Sequence, residues 1–300
     1  MRRLFAVLAA LSIYSSTAFG HGDDSHFQNT QDVTVKVTKV RGNVYMLQGR
    51  GGNIGAIVGQ EGILIIDDDY KVVSEKLRDA LRDLGSSSPK FIINTHWHGD
   101  HTEGNAFFGK DSIIVAHENV RKRLLDPPVI FGQKTAPYEP FALPVVTYEQ
   151  SLTIHFDGDD IRAVHYPHGH TDGDTVVFFT KANVVHLGDH FFVGRFPFVD
   201  LDSGGSVQGL ISNVGSLINT IPADAKLIPG HGPLATMADL KSYHATLVET
   251  AKIVQDAMKK KKTLDEIKKA GLPEKYKAAG SGFIKTDQWI ETVYKSYSKK

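Results

Sequence analysis

The chain predicts an α/β fold in which sheets are covered by helices. Short apolar or alternating runs with strand character recur in both halves. Segments with helical spacing accompany them, so each half offers strands and the helices to cover them. The residues suited to chemistry gather where the apolar runs end, as expected of loops held by a rigid scaffold.

The elements follow in order. Residues 33–40 carry valines at every second or third position, an alternating strand pattern. Residues 43–48 and 54–58 read as further strands, separated by the glycine-rich Gly49-Arg50-Gly51-Gly52. Gly62–Ile66 is wholly apolar and ends at Asp67-Asp68-Asp69, a buried strand that delivers its end to polar chemistry. Val73, Leu77, Leu81 and Leu84 give 72–84 helical spacing, and Gly85 stops it. Phe91–Asn94 is the next strand. Residues 113–116, 151–156, 161–166, 175–179 and 183–187 are strand-like in the second half. Val207–Thr220 fits a helix, and 226–229 fits a last strand before Gly230-His231-Gly232. A long helix is expected over 237–262 and shorter ones over 263–270 and 286–298, with Leu272-Pro273 breaking between them.

Composition narrows the class. Apolar residues are 41% and charged residues 23% of the 300, ordinary for a globular protein. Net charge is zero, which argues against a nucleic-acid partner or electrostatic capture by a membrane. The run Lys259-Lys260-Lys261-Lys262 reads as a solvated helix end. At the N-terminus, Arg2 and Arg3 precede an apolar run over 4–13 and then Ala18-Phe19-Gly20, the pattern of a signal peptide over 1–20. That run is shorter than the roughly 20 residues a membrane span needs. Cleavage after Gly20 leaves a mature chain of net charge about −2, a periplasmic or secreted location and a polar, mobile leader over 21–32. A single domain is expected over 33–300, with a helical extension from about 237. The chain has no cysteine, so disulfides, thiolate ligands and a thiol nucleophile are all excluded. Any metal site must be built from His, Asp and Glu.

The stretch Asn94-Thr95-His96-Trp97-His98-Gly99-Asp100-His101 concentrates such ligands at a strand end. His96 and His98 are two apart, so an extended backbone puts both imidazoles on one face. The turn at Gly99 then brings Asp100 and His101 near them. Three later segments also end apolar runs with candidate ligands: His168 and His170 in one, Asp189 in the next, His231 in the last. Histidine and carboxylate together suit zinc, and the same donors accept iron or manganese.

With these residues in order, the chain resembles the metallo-β-lactamase superfamily. The likeness rests on Asp67, H-x-H-x-D-H at 96–101, Gly169-His170-Thr171, Gly188-Asp189 and Pro229-Gly230-His231, and it covers roughly 36–235. It implies an αββα sandwich of two mixed sheets flanked by helices, with the site at one edge. It implies two zinc ions per chain: one on His96, His98 and His170, the other on Asp100, His101 and His231, with Asp189 bridging. Asp67 is expected to brace the histidine loop from the layer behind. The implied enzyme is a zinc-dependent hydrolase of a small-molecule substrate, using a metal-bridging hydroxide with Asp100 passing protons. A β-lactam or lactone is the favoured substrate. A thioester or phosphodiester, and a single-iron persulfide dioxygenase, are the alternatives.

Other candidates have structural readings. His168 is expected in the layer behind the ligands, as are Asp68, Asp172 and Asp174 more weakly. His186, His190 and His117 are assigned to packing, with His117 also able to support a ligand. The proline-rich 126–144 reads as a lid without periodicity, and 191–198 would bring phenylalanines and Arg195 near the site.

Overall fold

The computed structural model describes residues 33–130 and 132–298. The expected signal peptide and leader lie outside them. From Val33 onward the chain forms one compact unit.

Two sheets form its centre. The first is ordered β1 (Lys36–Arg41), β2 (Val44–Gln48), β3 (Ile54–Gly59), β4 (Gly62–Ile66), β5 (Phe91–Asn94), β6 (Ile113–His117), then β9 (Val146–Tyr148). A small hairpin of β7 (Val129–Ile130) and β8 (Gln133–Lys134) stands apart from it. The first four strands pair antiparallel, while β4 to β9 pair parallel. The second sheet is β10 (Ser151–Phe156), β11 (Asp159–His165), β12 (Thr175–Phe179), β13 (Val184–His186) and β14 (Lys226–Ile228). Only its last pair, β13 with β14, is parallel.

The helices are α1 (Ser74–Leu84), the one-turn α2 (Gly99–Thr102) and α3 (Asn105–Phe108), α4 (Glu118–Leu125), α5 (Val207–Thr220), α6 (Met237–Lys259), α7 (Leu264–Ala270) and α8 (Thr286–Ser298). Strand periodicity explains the layering. In β4, Leu64 and Ile66 face Ile161, Val177 and Phe179 of the opposite sheet. Ile63 and Ile65 face Leu77 and Leu81 of α1. The outer face of the second sheet packs Val185 and Leu227 beneath Leu210, Val214 and Leu247 of α5 and α6. The order of layers is therefore helix, sheet, sheet, helix, an αββα sandwich.

The structure differs from the sequence reading where pieces are short. The pattern over 33–40 becomes a strand only from Lys36, an edge strand with no fully buried residue. The expected lid, 126–144, holds β7, β8 and a short 3-10 turn at Pro140–Ala142, with Ala142 and Leu143 buried. One-turn helices and two-residue strands carry no periodicity to read. The long helix ends at Lys259, three residues early, because Lys261 turns into a positive φ of 58° and Thr263 opens a capping box with Glu266 for α7. No helix among the described residues is long and apolar enough to cross a membrane.

Two contacts tie the layers. Trp289 of α8 is fully buried, stacks on Phe196 at 5.4 Å, and donates its indole N–H to Thr250 Oγ1 of α6 at 2.9 Å. His117 at the end of β6 stacks on His165 of β11 at 3.7 Å and accepts the Asn119 N–H at the start of α4. Trp289→Ala should cost about 3–5 kcal/mol in denaturant unfolding, because cavity and hydrogen-bond losses add. A loss below about 1 kcal/mol would show that α8 is not packed as described. Burial, and then the neighbouring His117, pull His165 from its ordinary 6.5 to about 4. Its contribution is complete above the unfolded value of about 6.5 and declines as pH falls toward 4. His165→Asn should therefore lose stability less steeply than wild type between those limits, and parallel pH curves would refute this.

Candidate metal centre

The site forms where strand ends meet at one edge of the sandwich. β4 and β5 are parallel, so Asp67 and the 95–101 loop emerge side by side. β13 and β14 are parallel as well, and they deliver Asp189 and His231. β12 runs antiparallel to β13, so the loop that precedes it, with His170, reaches the same edge. The sheets thus gather residues separated by up to 164 positions of sequence, from Asp67 to His231.

Two groups of donor atoms result. His96, His98, His170 and Asp189 form the first, and Asp100, His101 and His231 form the second, each with its donors within 4.8 Å of one another. Asp189 stands between the groups. Its Oδ2 lies 3.3 Å from His170 Nε2 and 3.8 Å from His96 Nε2. Its Oδ1 lies 3.2 Å from His101 Nε2 and 3.5 Å from His231 Nε2, and is buried without a hydrogen bond. The structure brings together all seven residues assigned to metal from sequence.

A layer behind fixes which nitrogen of each ring faces inward. Asp67 Oδ1 accepts the Thr95 N–H at 2.7 Å, and its Oδ2 accepts Thr95 Oγ1 at 2.8 Å and His101 Nδ1 at 2.7 Å. Thr95 has then committed its only hydroxyl proton, so its oxygen accepts from His96 Nδ1 at 3.0 Å. His170 Nδ1 donates to the Phe198 carbonyl at 2.7 Å. His98 is reversed: its Nε2 donates to Asp200 at 3.1 Å, leaving Nδ1 turned inward. The inner nitrogens are therefore bare, yet His98 Nδ1 sits 2.8 Å from His170 Nε2 and 3.1 Å from His96 Nε2. Lone pairs that close repel unless a cation lies among them. The donor set thus fits a metal ion.

The electrostatics agree. Burial pushes Asp189 up, but the imidazoles of His231, His101 and His170 outweigh it and hold the carboxyl well below its ordinary range. Burial holds His96 low and His170 at about 4, so both rings are neutral donors. In the second group burial works against the charged ring, yet Asp189 and Asp100 hold His101 high and His231 at about 9. Protons stand there where a cation would replace them. Close approach makes two glycines obligatory. A Cβ on Gly230 would lie 2.0 Å from Asp189 Oδ1, and one on Gly52 would lie 2.1 Å from His101 Cε1.

The remaining candidates are placed as follows. His168 is exposed, in a left-handed conformation (φ 54°), and reaches only the Gly204 carbonyl, so it supports no ligand. Asp172 forms a two-bond ion pair with Arg123 of α4 at 2.7 Å, which anchors the His170 loop from outside. Asp174 holds the same loop through the Thr171 N–H at 2.9 Å. Asp68 is buried against Gly104, and burial with Asp67 and Asp69 raises it well above the ordinary range. His186 bonds to the Asn53 carbonyl at 2.9 Å, and His190 to Asn213 at 3.2 Å; both are buried. Arg195 lies exposed against Gly282. Asp200 escaped the sequence reading, and Phe198 entered it as a ring of the 191–198 run but not for the carbonyl that holds His170. Neither belongs to a motif, and their only signal is a position shortly after the Asp189 strand end.

Comparison with known proteins agrees with this geometry. A family model described as the metallo-beta-lactamase superfamily matches residues 38–231. A probable metallo-hydrolase of Methanocaldococcus jannaschii is 28% identical over 203 residues, 62% of this chain and 90% of its own length. A probable metallo-hydrolase of Bacillus subtilis is 25% identical over 192 residues, 60% of this chain and 88% of its own. Among solved structures, a metallo-beta-lactamase from Pontibacter korlensis shares 18% identity and a TM-score of 0.58 over 71% of this chain and 99% of its own. A stereoselective inverting sec-alkylsulfatase from Pseudomonas sp. shares 13% identity and a TM-score of 0.67 over 88% of this chain. This chain covers only 50% of that sulfatase. The structural likenesses carry the fold, and the match over 38–231 carries the family: the chain belongs to the metallo-beta-lactamase superfamily.

Proposed function

We propose that the chain is an exported hydrolase, with two zinc ions, that cleaves an acyl C–N or C–O bond, a β-lactam or lactone being the favoured substrate. The observation that carries it is Asp189, which turns one carboxylate oxygen to each of two ligand groups. His96, His98 and His170 would hold one ion, Asp100, His101 and His231 the other, and Asp189 would share both. Such a pair supplies a water acidified toward neutral pH and positive charge for the oxygen of the bond under attack. Export rests on Arg2, Arg3 and the apolar run after them.

The chain's own groups complete the site. Asp100 keeps 21% of its side chain exposed, against 5% for Asp189, so of these two carboxylates it is the one open to a substrate. Burial raises it, but His101 and His231 prevail and hold it near 2, so it is ionised and able to take a proton. It sits 3.3 Å from His231 Nε2 and can hand that proton to a leaving group. Phe192 stacks on His231 at 5.0 Å and covers one face of that ring.

The first test is a metal count on the mature chain, with hydrolysis of β-lactams, lactones, thioesters and phosphodiesters. About two zinc per chain with β-lactam or lactone turnover supports the proposal. Turnover of only thioesters or phosphodiesters would reassign the substrate, and one iron per chain would overturn the two-zinc hydrolase. Asp200→Asn should weaken metal binding about 10–100-fold while leaving the fold intact. Asp189→Ala should lose more than that and retain at most one ion. Full activity in metal-depleted Asp189→Ala protein would sink the mechanism. N-terminal sequencing of the exported protein should begin at His21; an intact Met1 would remove the export claim.

A further inference from the structure

Asp69 closes the strand-end run Asp67-Asp68-Asp69 and is fully buried. Its Oδ2 accepts the Arg50 N–H at 3.1 Å, and its Oδ1 accepts the N–H groups of Gly51 at 2.8 Å and Tyr70 at 2.6 Å. Arg50 and Gly51 belong to the glycine-rich loop between β2 and β3, and that loop lies against the second ligand group. The Gly52 N–H donates to the Asp100 carbonyl at 3.0 Å. A Cβ on Gly51 would fall 2.6 Å from Asp69 Oδ1 and 2.7 Å from the Asp100 carbonyl oxygen, so loop backbone fills the space between the two aspartates. On its other side, the Asp69 carbonyl accepts the Gly104 N–H at 3.1 Å, two residues past α2.

The turn held in this way is α2, which carries Asp100 and His101. A single helical turn fixes several dihedrals for few hydrogen bonds of its own, so it does not keep its shape unaided. The bonds at Gly52 and Gly104 supply what it lacks, and both lead back to Asp69. Asp69 has φ 63°, which glycine adopts without strain. An aspartate is retained there where its surroundings impose the conformation, and three N–H groups on one carboxylate do so. Asp69 belongs to neither ligand group. We infer that Asp69 is a positioning residue for the second ligand group: its carboxylate pins the 49–52 loop, and the loop pins Asp100 and His101. The inference rests on the two-metal hydrolase reading for its effect on turnover.

The test compares the full chain with Asp69→Gly and Asp69→Asn. Glycine adopts the backbone angle and removes the whole carboxylate, whereas asparagine keeps one acceptor oxygen and loses the other. In the metal-free chain, hydrogen exchange at the Gly51, Gly52 and Glu103 amides should be at least about tenfold faster in Asp69→Gly and less so in Asp69→Asn. The Thr95 amide, held by Asp67, should exchange as in wild type. In zinc titrations the second ion should bind about 10–100-fold more weakly and the first as before. With acyl substrates kcat should fall in the same order of variants, with KM little changed. Should Asp69→Gly fail to fold, Asp69→Asn carries the same readouts. Unchanged exchange at these amides, or equal losses at both ions, would overturn the inference. Faster exchange and a weakened second ion in a chain that turns over no acyl substrate would keep the role of Asp69 and overturn the hydrolase reading. A wild type that takes one ion would overturn the two-zinc reading, and exchange at Gly52 and Glu103 in the metal-free chain would still decide for or against Asp69.

Discussion

The Asp189 carboxylate is the constraint around which the rest is arranged. It is buried, ionised, and one of its oxygens has no hydrogen bond. An ionised group in that position is tolerable only where positive charge surrounds it. The charged imidazoles of His101 and His231 lie 3.2 and 3.5 Å from it, and a metal pair would meet the same demand more fully. The inward lone pairs of the first group and the protons of the second are two forms of one requirement for cations.

Holding those groups in place takes a stiff frame. Parallel β4 and β5 set Asp67 beside the histidine loop, and parallel β13 and β14 set Asp189 beside His231. Asp67 itself adopts φ 63°, a conformation that costs a non-glycine residue free energy and is retained where surroundings impose it. In that pose one carboxylate fixes the backbone at Thr95, its hydroxyl and the His101 ring together. Removal of any one would free a ring to turn its nitrogen away.

The C-terminal helices are joined to this frame by packing. Phe196 stacks on Trp289 of α8, and Trp289 in turn bonds to α6. The segment that carries Phe198 and Asp200 to the first ligand group is thus clamped between the second sheet and the extension. The sequence shows α8 and the phenylalanine run as separate pieces, but nothing local in either indicates that they pack together.

The alternation of strands and helices was legible in the sequence, and the seven candidate ligands and the brace at Asp67 were legible through the motifs that carry the family resemblance. Those features are local: strand period, strand-end glycines, and histidines two apart. Helix ends at 220, 270 and 298 were legible for the same reason. Tertiary structure alone decided that Asp200 and the Phe198 carbonyl orient His98 and His170, that His168 faces solvent, and that Asp172 pairs with Arg123. Each of these depends on which loops the two sheets bring to one edge, a long-range packing outcome with no periodic trace in the chain.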